Sequence, residues 1–414
     1  MARGKYKSKI VMAFFIIFLL AVLVACFAIF KIGDAFSPWM ITSAVWLGIF
    51  VMFSLFGYNL YPLENRLYTC VMIWVPILVL TSVATYYALP VPEKADVNAD
   101  IELTNKPYML LFAIAVVCSP LYLYQVVKIA MMFDVNNLFN NIRIFSSYGE
   151  KDTILSLLKY ISPINQALFI VEMWRYPKVV KLRLVTIVLC NLFCTIAIMA
   201  KMPIFILALT TLYILYEKKK LKIKNILLFA IILLILFYWI NILRKPDGDK
   251  SEDTFLDFFS IYVLSPSVAF EWSQEKLVDQ FGTFSFAFFY AFISKLGLGV
   301  YYVQSQLQDF VYVPIPTNVY TVFQPYFEDF GYKGVALFAS VWGVMTGWIY
   351  RLVRNGNAMA KCMYAYFVLA LFMQFYQESL FVNLSIVIQF FVFFSLLIKH
   401  KVSIKIDWGR KGKG

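Results

Sequence analysis

Four cationic residues stand out because of what surrounds them. Arg143 lies in NNIRIFSSYGE, Lys201 in AKMPIF, and Arg244 with Lys245 in NILRKPDG, each beside long apolar runs. Positive charge next to hydrocarbon is costly, so it ordinarily has a partner or a task. The task these groups suit is gripping a diphosphate: arginine offers a bidentate fork and lysine a compact charge. For Arg244 and Lys245 the alternative is snorkelling to a membrane interface. For Lys201 that alternative is weaker, because it sits at the tip of a very tight apolar hairpin. Pro203 suits the first turn of the returning helix, where a missing N–H is harmless.

A second constellation is PIPTNVYTVFQPYFEDFGYKG, residues 314–334. Three prolines and two glycines argue for a fixed loop there, not a helix. Asn318, Tyr320, Thr321 and Gln324 offer polar groups interleaved with aromatics, and Tyr326 adds a ring with a hydroxyl. Glu328 and Asp329 are adjacent carboxylates just before the chain turns apolar again. Sugar sites are built this way, with aromatic faces under the ring and amides or acids on the hydroxyls. A carboxylate there can also take a proton from an acceptor hydroxyl. The alternative is an interfacial aromatic belt with a helix-capping acid. Glu378, in QFYQESLF, is a third candidate, with a simple turn acid as its alternative.

Other chemistry is missing. There is no glycine-rich phosphate loop and no DxD carboxylate pair, which disfavours a soluble-type nucleotide-sugar transferase. Six cysteines lie in or beside apolar segments without zinc-ligand spacing, so no metal or other cofactor is expected. The single histidine, His400, stands in the basic C-terminal stretch, so a site elsewhere has no histidine to use as a base.

The elements that must position these residues are membrane helices. Of 414 residues 62% are apolar and only 15% charged, with mean hydropathy +0.74. Soluble domains carry about 25% charged residues. A water-soluble enzyme and a disordered chain are both excluded. The net charge of +13 comes from short basic clusters flanking apolar segments, the pattern of cytoplasmic membrane loops, so no nucleic-acid partner is expected. Eleven segments are apolar enough to span: 9–30, 39–58, 68–89, 107–131, 158–175, 182–199, 202–216, 223–242, 334–353, 361–377 and 382–399.

Basic clusters at 174–183, 217–224, 351–361 and in the tail agree on one cytoplasmic side, provided 182–216 is a hairpin and 244–333 lies outside. Arg3, Lys5, Lys7 and Lys9 break that agreement, since eleven spans put the two termini on opposite sides. Topology over the first 106 residues therefore stays open. Residues 244–333 hold 11 of the 24 acidic residues, six Lys/Arg and 23 aromatics, the composition of an acidic, aromatic loop on the outer face. Within it, the apolar stretch 284–300 is placed to dip into the membrane without crossing. The expected division is an N-terminal bundle of about eight helices (1–243), this large extracytoplasmic loop with short helices (244–333), three C-terminal helices (334–399) and a basic cytoplasmic tail (400–414).

Four stretches carry a resemblance. PTNVYTVFQPYFEDFGYKG, MAKMPIFIL, NNIRIFSSYGE, and RKPDG followed by FFSIYVLSPSVAFEW look like segments of the Wzy-type O-antigen and capsular polysaccharide polymerases. With the helix layout, the resemblance covers most of the chain from 107 to 399. It implies an all-α integral membrane glycosyltransferase of GT-C-like architecture, in the bacterial cytoplasmic membrane with its active site on the extracytoplasmic face. The implied substrates are oligosaccharide repeat units on undecaprenyl diphosphate, and a chain-length regulator and a flippase are the implied protein partners. It also implies functional roles for Arg143, Lys201, Arg244 and Asp329, and for Glu378 in support; the residues themselves add Glu328 as a catalytic candidate beside Asp329, and Lys245, Asn318, Tyr320, Thr321, Gln324 and Tyr326 with Glu378 as substrate contacts. Lys201 stands where the family usually has arginine, which keeps charge and loses the fork. The histidine of the related O-antigen ligases has no counterpart on the outer face. The alternatives are a flippase or exporter of the same lipid-linked sugars, and a ligase-type transferase.

Overall fold

A computed structural model describes residues 2–90, 100–149, 153–222, 260–274, 278–303 and 308–399, with isolated positions between 224 and 243. The described residues fold as helices, named here in chain order. They are α1 (Ala2–Ile29), α2 (Pro38–Phe56), α3 (Asn65–Ala88), α4 (Asn105–Ala130), α5 (Leu138–Tyr148), α6 (Thr153–Leu158) and α7 (Ile161–Trp174). After these come α8 (Lys181–Ile198), α9 (Met202–Glu217), α10 (Ser265–Trp272), α11 (Ala287–Lys295), α12 (Gln324–Arg354), α13 (Ala358–Phe372) and α14 (Leu384–Leu397). Eight helical stretches among the described residues are long and apolar enough to cross a membrane, and α9 and α14 are shorter apolar helices. These occupy ten of the eleven expected segments; the eleventh, 223–242, falls mostly outside the described residues, as do Arg244, Lys245, His400 and the 400–414 tail.

The bundle is organised around α3 and α12, which run parallel. Matched contacts advance together along both: Trp74 with Trp342 (ring centroids 5.7 Å), Tyr86 with Tyr350 (5.4 Å), and the Leu89 carbonyl with Arg351 Nε (2.9 Å). The close approach depends on Gly343 and Gly347, a small-xxx-small spacing that lets backbones touch. A Cβ on Gly343 would stand 1.9 Å from Thr81 Oγ1, and one on Gly347 2.4 Å from the Ser82 carbonyl oxygen. Lipid gives no hydrophobic drive for helix pairing, so contact of this kind has to supply it. Trp39, Trp46, Trp74, Trp174 and Trp342 are fully buried in the core. Gln374 ties three helices: its Oε1 accepts from Trp74 Nε1 (2.8 Å) and Trp46 Nε1 (3.4 Å), and its Nε2 donates to Thr42 Oγ1 (2.9 Å).

The two ends of the bundle differ in chemistry. At one end sit Arg175, Lys178, Lys218, Arg351, Arg354 and Lys361 near the ends of α7, α9, α12 and α13. Asp34, in the α1–α2 turn, joins this basic end by accepting from Tyr350 Oη (2.7 Å) and pairing with Arg354 (2.9 Å). Helix α1 is unbroken over 28 residues, about 42 Å at 1.5 Å per residue. Its N-terminal end, with Arg3 to Lys9, therefore falls at the opposite end from Arg354. Helix α1 thus packs against α2 with its basic N-terminal run at the end away from the other basic clusters.

One expectation about local structure is corrected. Residues 314–334 are not a loop throughout. A two-residue ribbon pairs Val311–Tyr312 with Pro316–Thr317, and the chain is helical from Gln324. Pro325 sits in the first turn, where it favours a helix start. The break falls at Gly331 (φ 61°, ψ −149°), a conformation that glycine alone adopts readily. The reversal is sharp, because a Cβ on Gly334 would meet the Tyr326 carbonyl oxygen at 2.2 Å. Glu328 and Asp329 thus stand on a short helix above the kink.

Candidate functional site

The end opposite the basic clusters gathers most of the residues singled out above. Lys201 is at the tip of the α8–α9 hairpin. Met199 takes a left-handed conformation (φ 43°) to close α8, and the Lys201 carbonyl accepts from the Ile204 N–H (3.1 Å) as α9 begins. The Lys201 ammonium is buried and lies 3.3 Å from the centroid of the Tyr262 ring. A cation held over an aromatic face is attracted by the ring quadrupole, more strongly where water is excluded.

Arg143 reaches the same region on α5. The turn before α5 is built by polar side chains: Asn141 Nδ2 donates to the Asp134 carbonyl (2.7 Å), and Asn137 Nδ2 donates to Asp134 Oδ2 (2.7 Å). Helix α5 then packs on the end of α8, where the Ser146 hydroxyl donates to the Ile198 carbonyl (3.1 Å) with the Arg143 carbonyl also in reach (3.0 Å). Arg143, half-buried, is one turn from that contact. The structure thus brings the Arg143 and Lys201 segments together.

From Tyr262 the chain runs through one π turn (Ser260–Leu264) into α10. At the far end of α10, Phe270 packs against Phe323 (5.7 Å) and Phe327 (5.6 Å). The 260–272 segment therefore bridges the cationic tip to the second constellation over eight residues of helix, about 12 Å.

In that second constellation, Gln308 Nε2 donates to Gln324 Oε1 (2.8 Å), and Gln324 Nε2 donates to Glu328 Oε1 (2.7 Å). Tyr320 Oη donates to the Asp309 carbonyl (2.8 Å). Burial, with Glu328 and Asp309 nearby, pushes the Tyr320 hydroxyl up to about 12, so it remains a donor at neutral pH. Thr321 is buried, and its Oγ1 has no hydrogen-bond partner among the described residues. Asn318 is half-buried in the turn after the ribbon. The loop is pinned to the core where Val322 N–H donates to the Gln374 carbonyl (2.8 Å).

Two acids have their oxygens spoken for by backbone. Asp329 accepts from the amides of Phe284 (3.1 Å) and Ser285 (2.6 Å), and so ties the short helix above the kink to the turn that precedes α11. Glu378 accepts from the amides of Leu380 (2.9 Å), Phe381 (3.0 Å) and Val382 (2.6 Å), capping the approach to α14. Burial raises the Glu378 carboxyl above its ordinary range, opposed by those three amides and by the Tyr326 hydroxyl. Tyr326 is buried between Trp74 (5.8 Å) and Phe338 (4.1 Å) and accepts from Trp342 Nε1 (3.0 Å). This is a packing position rather than an open sugar platform. Among the described residues, no group of three or more His, Cys, Asp or Glu is placed to hold a metal ion.

The sequence reading missed Arg66. Its Nη1 donates to the carbonyls of Phe270 (3.1 Å) and Ser273 (2.9 Å), and its guanidinium lies 5.2 Å from the Phe327 ring. Glu271, buried and raised for that reason, accepts from the amides of Arg66 (3.1 Å) and Leu67 (2.7 Å). The Arg66–Glu271 pair locks α10 onto the start of α3. The only signal for it was one arginine at the start of an apolar run.

Over 247 residues the chain is 27% identical to a protein of Escherichia coli (strain K12) that carries the provisional name O-antigen polymerase. The alignment takes in 58% of this chain and 60% of that protein, so it spans less than two thirds of the relative's length. No family model matches the chain, and no solved structure matches it. The helices make this an all-α membrane protein, and its recognisable likeness is to the O-antigen polymerases.

Proposed function

We propose that the protein is a membrane glycosyltransferase that polymerises lipid-diphosphate-linked oligosaccharide repeat units, of the kind made into O-antigen or capsule. The observation that carries this reading is the juxtaposition at one end of the bundle. A cationic tip (Arg143, Lys201) and a carboxylate–amide–aromatic cluster (Gln308, Tyr320, Gln324, Glu328) are joined there by the 260–272 segment. The likeness to an O-antigen polymerase supports the same reading. With the basic end in the cytoplasm, the site lies on the extracytoplasmic face, the chain crosses eleven times, and the architecture is GT-C-like.

In the reaction, an acceptor hydroxyl oxygen attacks the anomeric carbon of the lipid-linked glycan, and the bond to the diphosphate breaks. Charge develops on the leaving diphosphate, where preorganised cations have their largest effect. Arg143 and Lys201 take that role, joined by Arg244 and Lys245 at the start of the outer loop. Glu328 receives the acceptor proton, with Gln324 orienting it. Asp329 is a positioning residue, because its oxygens hold the 284–285 amides. Tyr320, Thr321 and Asn318 contact sugar hydroxyls.

The test is glycan length in cells lacking the chromosomal copy, complemented with wild type, Arg143→Ala, Lys201→Ala or Glu328→Gln at equal membrane abundance. Loss of long chains with single repeat units still at the surface is the expected outcome. Single units retained inside the cell would instead place the protein before polymerisation, as a flippase.

A further inference from the structure

At the basic end, a cavity of about 520 Å³ opens between residues 100–105, the first turn of α4 and the α7–α8 turn. That volume is in the range of small-molecule sites, roughly 300–1,000 Å³. Its charged lining is Arg175, Arg183, Lys178 and Lys399 with Asp100 and Glu102. The cations are unevenly answered. Arg175 and Arg183 share one buried carboxylate, Glu172, at 3.3 and 3.5 Å. Lys178 and Lys218 share Asp100 at 2.9 and 3.0 Å, and Lys399 reaches Glu102 at 3.8 Å. Among the described residues, these five cations are paired with three carboxylates. Strong N⁺–H···O⁻ bonds run about 2.7–2.9 Å, so the two guanidiniums are held long of that distance and keep donor capacity for another anion.

The cations are also graded in depth. The Arg175 and Arg183 side chains are each 29% exposed, whereas Lys178 is 80% and Lys399 65% exposed. Beside them the surface turns apolar: Met109 lines the cavity and is half exposed, and Leu182, next to Arg183, is more exposed still. Deep arginines, lysines at the mouth and an apolar border describe an amphiphile site rather than one for a free ion.

We propose that this cavity binds the phosphate-bearing headgroup of a phospholipid from the leaflet at the basic end. The phosphate sits against Arg175 and Arg183, Lys178 and Lys399 lie over it at the mouth, and the acyl chains run out along Met109 and Leu182. The site is at the opposite end of the bundle from the proposed glycosyl-transfer site, and it stands or falls independently of that reading.

The test is native mass spectrometry of the full-length, delipidated protein titrated with phosphatidylglycerol, phosphatidylcholine or inorganic phosphate. Wild type retains one phospholipid, and millimolar phosphate does not displace it. Lys178→Gln with Lys399→Gln, an exposed pair whose loss leaves the core intact, weakens retention by about tenfold or more. Arg175→Gln, Arg183→Gln and Glu172→Gln together, which remove the arginines without stranding a buried carboxylate, abolish it. Equal lipid affinity in wild type and the lysine double variant overturns the proposal. So does displacement of the lipid by free phosphate at matched concentration, which would make this a site for a soluble anion.

Discussion

Replacing Lys201 separates a structural lysine from a catalytic one. Its ammonium rests 3.3 Å from the Tyr262 ring centroid. Removing a cation from an aromatic face costs about 0.5–2 kcal/mol of stability, the upper value applying where water is excluded. If that were its whole role, Lys201→Met would lower the amount of folded protein modestly and leave turnover per folded molecule unchanged. A unit charge about 4 Å from a developing phosphate charge is worth about 4 kcal/mol at an effective dielectric near 20. At 1.36 kcal/mol per tenfold, that predicts a loss of roughly 10³ in turnover. Losses on removing a single preorganised donor elsewhere are about 10²–10³. Lys201→Arg keeps the charge and is expected to stay within about tenfold of wild type. Tyr262→Leu removes the ring but not the charge and should fall between the two. The assay is chain extension on lipid-linked repeats in proteoliposomes, normalised to folded protein by size-exclusion chromatography. A Lys201→Met variant whose activity drops only in step with its folded fraction would refute the diphosphate role.

Other consequences are equally specific. Gly347→Val drives a side chain into the Ser82 carbonyl, which a Cβ alone would meet at 2.4 Å. It should cost about 1–3 kcal/mol or more, seen as a lower melting midpoint in detergent, while Val344→Ala on the exposed face stays within about 0.5 kcal/mol. Glu328→Gln should abolish extension with little change in melting. Asp329→Ala, which leaves the 284–285 amides without their acceptor, should instead destabilise the fold by about 1–3 kcal/mol; the reverse pattern would exchange their roles. Lys178 and then Lys218 hold the Asp100 carboxyl below its ordinary value. A depressed carboxyl stabilises the folded state above its unfolded pKa of about 3.9 and loses that contribution as pH falls through the lower folded value. Wild type should therefore hold a melting advantage over Asp100→Asn at neutral pH and lose it progressively as pH falls below about 4, and an advantage that does not shrink at all under acid titration would show that the ion pairs are not its source.

What the sequence reveals and what it hides follow from the range of the forces involved. Spans were legible because hydropathy is a sum over about 20 neighbouring residues, and every described apolar helix lies where that sum placed it. The Lys201 hairpin was legible for a similar reason, since only one lysine interrupts two apolar runs and Pro203 marks the return. The orientation of α1 was not, because the rule that reads it counts charge near helix ends, and here a contact distant in sequence, Asp34 with Arg354, decides the end at which the α1–α2 turn sits. The 314–334 segment misled for a third reason. Proline and glycine were counted as breakers, yet Pro325 occupies the one helical turn that accepts it, and the break comes six residues later at Gly331. The carboxylates sort themselves only in three dimensions. Glu328, Asp329 and Glu378 read alike as acids near a membrane boundary, but two of them face rows of backbone amides while Glu328 faces the Gln324 side chain. An acid that accepts two or three amides from a turn is holding that turn in place, and protonating it would release the amides. Glu328 is bonded to a side-chain amide that can rotate and so yield to a substrate hydroxyl, and on that ground it is the acid proposed for the proton-transfer step.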